Sequence, residues 1–214
     1  MNIREINVIG AGSLGSAVVQ ILAKMSPNWH CPISVWDFDR VEEHNANNQI
    51  YTSGDVGELK VVALSRIISG LGGPKIRSMD AVVDEKTDLR GLVILAVDTM
   101  SVRKKIFDAC KYNWGVDYLI DARMGGHLGM IFALDPKNQE CVDRYDQWFY
   151  DDKDVATVVC TTNETIPALW TVAASIAKIV LLYRRTEVLV NTYIEGAVNL
   201  HECPVVIFEQ YALI

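Results

Sequence analysis

Residues 3–16 read IREINVIGAGSLGS, an apolar stretch that runs directly into glycines spaced GxGxxG. Ile3 to Ile9 is expected as a strand and Leu14 to Lys24 as a helix, so the glycine loop falls on the turn between them. In that setting glycines let the backbone approach phosphate oxygens, and the amides opening the helix attract anions. Gly10, Gly12, Ser13, Leu14 and Gly15 are therefore candidate nucleotide-binding residues. A glycine turn used only for close packing is the alternative. Asp37 follows the second expected strand, Pro32 to Trp36, where a carboxylate can accept hydrogen bonds from ribose hydroxyls. NAD and ATP share an adenosine end, so the loop and Asp37 do not choose between them.

Outward from this unit, strands and helices alternate. Glu58 to Ser69 has helical spacing and is stopped by GLGGP at 70–74, and Lys75 to Met79 fits a short strand. Leu92 to Val97 is a continuous apolar run, the mark of a strand covered on both faces. A helix over Ser101 to Tyr112 and a buried strand over Tyr118 to Asp121 follow. The expected class is α/β: a doubly wound, Rossmann-like, mostly parallel sheet. After Asp121 the rhythm changes. Leu128 to Leu134 is reached through too short a glycine loop for a crossover helix, so it is expected to run antiparallel to its predecessor. Residues 136–160 read as a polar, acid-rich crossover loop carrying Tyr145, Trp148, Phe149 and Tyr150. An alanine-rich helix and two strands, Val188 to Glu195 and Pro204 to Phe208, complete the chain. One domain over 1–214 is expected, with a nucleotide-binding parallel half (1–122) and an antiparallel extension (123–214).

Composition narrows the function. A net charge of −7 argues against a nucleic-acid partner or a polybasic membrane contact, both of which need a basic face. Pro167 to Tyr183 is the most membrane-like segment, but it contains Lys178 and falls short of a span of roughly 20 residues, so a buried core helix is expected. Cys31, Cys110, Cys141, Cys160 and Cys203 are odd in number and form no CxxC pair. A cytoplasmic protein without a zinc ribbon or dithiol site fits that pattern, with the cysteines other than Cys160 read as small buried apolar residues.

Four motifs in order, GAGSLGS, DFDRVEEHNANNQ, GDVGELK and AVDTMSVR, resemble the ThiF/MoeB/HesA family of ubiquitin-activating-type adenylyltransferases. The resemblance runs from about residue 4 to 134 and resumes at 155–182. It implies an enzyme that uses ATP and Mg²⁺ to adenylate the C-terminal carboxylate of a ubiquitin-like or sulfur-carrier protein ending in glycine, and that acts as a homodimer. On matching positions it assigns Asp37 to ribose, Asn45 to the approach of the triphosphate, Lys60 to phosphate and Asp98 to the metal. These residue types suit the chemistry, because attack on an anionic phosphorus is helped mainly by positioning and charge neutralisation. Asp39 either contacts ligand or orients the loop that follows it. Lys60 taken alone would read as solvated helix surface, and Asp98 as a cap of the next helix.

The family pattern breaks at Asn48, where an NLxRQ arginine is replaced within NANNQ. An amide donates hydrogen bonds but supplies no charge. Arg123, in DARMGGHLG after a central strand, is the best candidate to compensate, with Arg103 a second; a structural ion pair is the other reading of Arg123. A partner could also donate the missing charge. Cys160 precedes TTNETIPALW at the family's cysteine position, which in some members links covalently to the carrier and in others is dispensable. The 136–160 loop would then cover the carrier's tail. His44 and His127 have no spacing that suggests metal or nucleophilic work. Two rival functions stay open: an NAD-dependent oxidoreductase, and a nucleotide-binding scaffold without chemistry.

Overall fold

The structure is a computed structural model that describes residues 3–26, 29, 31–125, 128–154, 165–185 and 205–209. Its strands are β1 (Ile6–Ile9), β2 (Ile33–Trp36), β3 (Arg77–Met79), β4 (Gly91–Leu95), β5 (Val116–Gly125), β6 (Leu128–Leu134) and β7 (Val205–Glu209). Its α-helices are α1 (Ser13–Met25), α2 (Lys60–Gly70), α3 (Met100–Cys110), α4 (Gln139–Asp146) and α5 (Ile166–Arg185). The strands form one seven-stranded sheet in the order β3-β2-β1-β4-β5-β6-β7. The first five are parallel, while β6 is antiparallel to both β5 and β7. The doubly wound, mostly parallel sheet with an antiparallel extension is therefore observed.

The apolar run of β4 has its cause in the packing on both faces. Leu92 and Ile94 join Ile6, Val8, Ile33 and Val35 in a core under α1, α2 and α5. Val93 and Leu95 point the other way and meet Ile106 and Phe107 of α3 and Val142 and Tyr145 of α4. Side chains alternate along a strand, so a strand buried twice must be apolar throughout.

Several expectations need correction. The 136–160 segment is not a plain loop: residues 139–146 form α4, capped by Asn138, and bury Cys141, Val142 and Tyr145. Its aromatic residues that looked suited to an exposed crossover partly belong to the core, where Phe107 and Tyr145 meet edge to face at 4.7 Å. α5 is longer than expected, at 20 residues, and by length and composition is the one helix among the described residues able to cross a membrane. Here it instead buries Leu169, Val172, Ala173, Ile176 and Val180 in the core against β5, β6 and α1. Cys31 and Cys110 are free thiols, as expected, but Cys141 is disulfide-bonded. The strand expected over Val188 to Glu195 lies outside the described residues.

Candidate functional site

The glycine loop leaves β1 at its carboxyl end, between β2 on one side and β4 on the other. The chain order along the sheet reverses here, the place where open α/β sheets form their crevice. Gly10 has φ +100°, and a Cβ on it would stand 2.5 Å from the carbonyl oxygen of Ala96 after β4. A Cβ on Gly15 would stand 1.9 Å from the carbonyl oxygen of Gly10. Both glycines are thus required by the protein's own backbone. Gly12 is different: no described residue beyond its chain neighbours lies within 4 Å of its added Cβ, so the loop is open on that side.

Two side chains hold the residue between them. Asp37 accepts the Ala11 amide through Oδ2 at 2.7 Å and the Asp39 amide through Oδ1 at 2.8 Å. Tyr51, 2% exposed, donates its hydroxyl to the Ala11 carbonyl at 2.6 Å. Burial, with the carboxylates of Asp37 and Asp55 nearby, pushes the Tyr51 phenol well above its ordinary value, so it remains a donor. Asp39 is exposed at the side chain and pairs with Lys60, Nζ to Oδ2 at 2.9 Å, while Lys60 itself is 9% exposed at the first residue of α2. Of the two readings of Asp39, orientation of the loop is the one its bonds support.

The row after Asp37 builds its own scaffold. Residues 43–47 form a 3₁₀ turn in which Asn45, 3% exposed, accepts the Glu42 amide at 2.9 Å. Its carbonyl oxygen thereby anchors the turn and fixes the direction of its amide end. Asn48 closes the same turn and is buried. Asp55 belongs to a second 3₁₀ turn, accepts the Thr52 amide at 2.7 Å and pairs with Arg66, which also meets Glu58 at 2.6 Å. The Arg66 guanidinium and the Thr52 amide hold the Asp55 carboxyl below its usual range. The motif GDVGELK thus folds into the support that delivers Lys60.

Asp98 stands just past β4, exposed and, among the described residues, without a hydrogen bond or ion pair. It is not the cap of α3. Thr99 holds the cap position without a side-chain bond, and the cap is supplied from a distance by Asp152, which accepts the amides of Met100 at 2.6 Å and Ser101 at 3.2 Å. Among the described residues no cluster of three or more metal-ligating side chains occurs.

Arg103 and Arg123 do not stand free beside this loop. Both pair with Asp121, which has no exposed surface. Arg103 also donates to the Val97 carbonyl. Arg123 bonds Asp121 at 2.7 Å, the Trp148 carbonyl at 2.7 Å and the Tyr145 hydroxyl at 3.4 Å, and lies 4.5 Å from the centre of the Phe132 ring. Burial alone would lower the Arg123 guanidinium, but Asp121 and Tyr145 outweigh it and hold the group above its ordinary value. Of the two readings of Arg123, the structural ion pair is the one its bonds support: its donors meet Asp121 and the Trp148 carbonyl and tie the segment after α4 to the sheet.

Cys160 and His127 lie outside the described residues. His44 is exposed, 3.3 Å from Glu42. Sequence reasoning missed Tyr51, Asp55, Asp121 and Asp152. Asp121 carried a usable signal, since two residues apart on a strand place it and Arg123 on one face. Tyr51 and Asp152 carried none, because their partners lie 40 and 52 residues away.

The fold is shared with solved structures of E. coli MccB. The structure with MccA-N7isoASN superposes with a TM-score of 0.64 at 16% identity, covering 86% of this chain and 57% of that one. The structure with ATP gives 0.58 at 16% identity with the same coverage, and the structure with AMPCPP and MccA gives 0.57 at 17% identity, covering 86% of this chain and 56% of that one. The chain thus spans a little over half of MccB, and at this identity the likeness is one of fold. No curated protein matches it in sequence. The model of the ThiF family matches residues 2–194, and the protein accordingly belongs to the ThiF family.

Proposed function

We propose that the protein is an ATP-dependent adenylyltransferase that activates the C-terminal carboxylate of a ubiquitin-like or sulfur-carrier protein. The carrying observation is the juxtaposition at the sheet's switch point. A glycine loop open at Gly12 packs through Gly10 on Ala96, two residues before the carboxylate of Asp98, which is unpaired among the described residues. In this reading the incoming carboxylate oxygen attacks the α-phosphorus, an acyl–phosphate bond forms, and the bond to pyrophosphate breaks. Asp37 takes the ribose and the 10–15 loop the phosphates. Lys60 adds a positive charge beside them, with two ammonium donors left after Asp39. Asn45 and Asn48 line the approach, and Cys160 receives the activated carrier.

Magnesium fits the residues present. A single free carboxylate suits an ion that keeps several waters and takes its remaining oxygens from the phosphates. Asp98 would hold it, and the ion would supply charge neutralisation at the phosphates. MccB has been captured with ATP and with MccA, which supports a nucleotide and a polypeptide partner for this fold. A cytoplasmic homodimer is the assembly the family resemblance implies.

The test is exchange of labelled pyrophosphate into ATP in the presence of a candidate carrier ending in glycine. Exchange that depends on carrier and disappears in Asp98→Ala is expected. A second reading has its own observation: Asn48 is neutral, and both nearby arginines are engaged by Asp121. ATP binding without exchange, whatever carrier is supplied, would establish that reading of a nucleotide-binding scaffold.

A further inference from the structure

The geometry points to Tyr51 as a positioning residue that aims the Gly12 amide at the phosphates of the nucleotide, an inference that rests on the nucleotide reading above. Tyr51 lies outside the glycine loop and 40 residues beyond Ala11, yet its hydroxyl meets the Ala11 carbonyl at 2.6 Å. The same hydroxyl is 3.4 Å from the carbonyl of Lys60, so one side chain sits under both the loop and the start of α2.

The direction follows from peptide geometry. In a planar trans peptide the C=O and the next N–H point opposite ways. With the Ala11 carbonyl turned in toward Tyr51, the Gly12 N–H is turned out. A Cβ built at Gly12 likewise meets no described residue beyond its chain neighbours within 4 Å, so nothing packs on the loop at this residue. Among the described residues no acceptor meets this amide, whereas the preceding one, on Ala11, is already held by Asp37. The loop therefore presents the Gly12 amide and withholds the Ala11 amide, and the hydroxyl of Tyr51 sets that choice. A donor fixed before the ligand arrives needs no reordering on binding, which is the source of its affinity.

The alternative is that Tyr51 only fills the core. Tyr51→Phe separates the two, because it keeps the ring and removes the hydroxyl. Amide relaxation by NMR on the ligand-free protein should show Gly12 as ordered as α1 in the wild type and mobile in the variant. Titrations should then show roughly tenfold weaker binding of ATP, with adenosine binding unchanged. Equal Gly12 order in the two proteins, or equal loss of ATP and adenosine binding, would overturn the proposal. If the wild type binds no ATP, the nucleotide reading fails, while the ligand-free relaxation measurement still decides what Tyr51 does.

Discussion

Lys60 is joined to Asp39 twice: its amide donates to the Asp39 carbonyl at 2.9 Å, and its ammonium to the Asp39 carboxylate at 2.9 Å. The charge proposed to meet phosphate is thus already paired. Because Asp39 is half exposed, the pair is worth at most about 1 kcal/mol. Asp39→Asn should therefore tighten ATP binding by up to roughly fivefold at low salt, as the site loses one negative charge. Calorimetry at two ionic strengths checks this, since the gain should shrink as salt rises. Weaker binding in the variant would mean that Asp39 serves the ligand through loop geometry more than it opposes it through charge.

Asp121 balances two buried guanidinium groups and accepts from the Tyr145 hydroxyl at 2.8 Å. Removing one member of such a set leaves uncompensated buried charge, which costs about 3–5 kcal/mol. Asp121→Ala should lower the unfolding free energy extrapolated from urea curves by that amount or leave the protein unfolded. Arg123→Met, which keeps a long apolar side chain against Phe132, should cost less because Arg103 still neutralises Asp121. Equal stability of Asp121→Ala and the wild type would remove the network from any account of the fold.

The Asp55 carboxyl is depressed in the folded protein by Arg66 and by the Thr52 amide. A group with a lowered folded value binds its proton more readily when unfolded. Its contribution is therefore complete above the ordinary carboxylate range and is lost as the pH falls from about 4 through the lower folded value. Denaturation midpoints measured from pH 6 to pH 3 should fall less steeply for Asp55→Asn than for the wild type. Parallel curves would show that Asp55 does not carry this dependence.

The cap of α3 comes from Asp152, more than 50 residues away in sequence. Asp152→Ala should therefore speed hydrogen exchange at Met100 and Ser101, at the mouth of the proposed site, and leave the amides of α1 unaffected. Exchange resolved by residue is the measurement. Unchanged rates at Met100 would show that water or another group serves the cap equally well.

The parallel half of the sheet was readable in the sequence because both of its signals are local. A strand covered on both faces must be apolar throughout, and a strand-to-helix turn that packs on backbone must be glycine, as at Gly10 against Ala96 and Gly15 against Gly10. The antiparallel turn of β6 was readable for the same reason, since a short loop leaves no room for a crossover. The 136–160 segment misled because its composition is polar, although α4 buries only one narrow stripe through Cys141, Val142 and Tyr145. Site assignments were harder. Whether Arg123 faces a ligand or Asp121, and whether Asp39 touches phosphate or Lys60, depends on partners from other elements, and neighbouring residues do not announce them.

Asp37 holds two backbone amides at once, one on each carboxylate oxygen. A carboxylate held this way cannot swing to follow a sugar that lacks a hydroxyl. One lone pair remains on each oxygen, enough for the 2′ and 3′ positions of a ribose and no more than that. In the proposed function the turn after β2 would act as a fixed gauge for the sugar, and 2′-deoxy-ATP should lose a contact that this held carboxylate cannot move to replace.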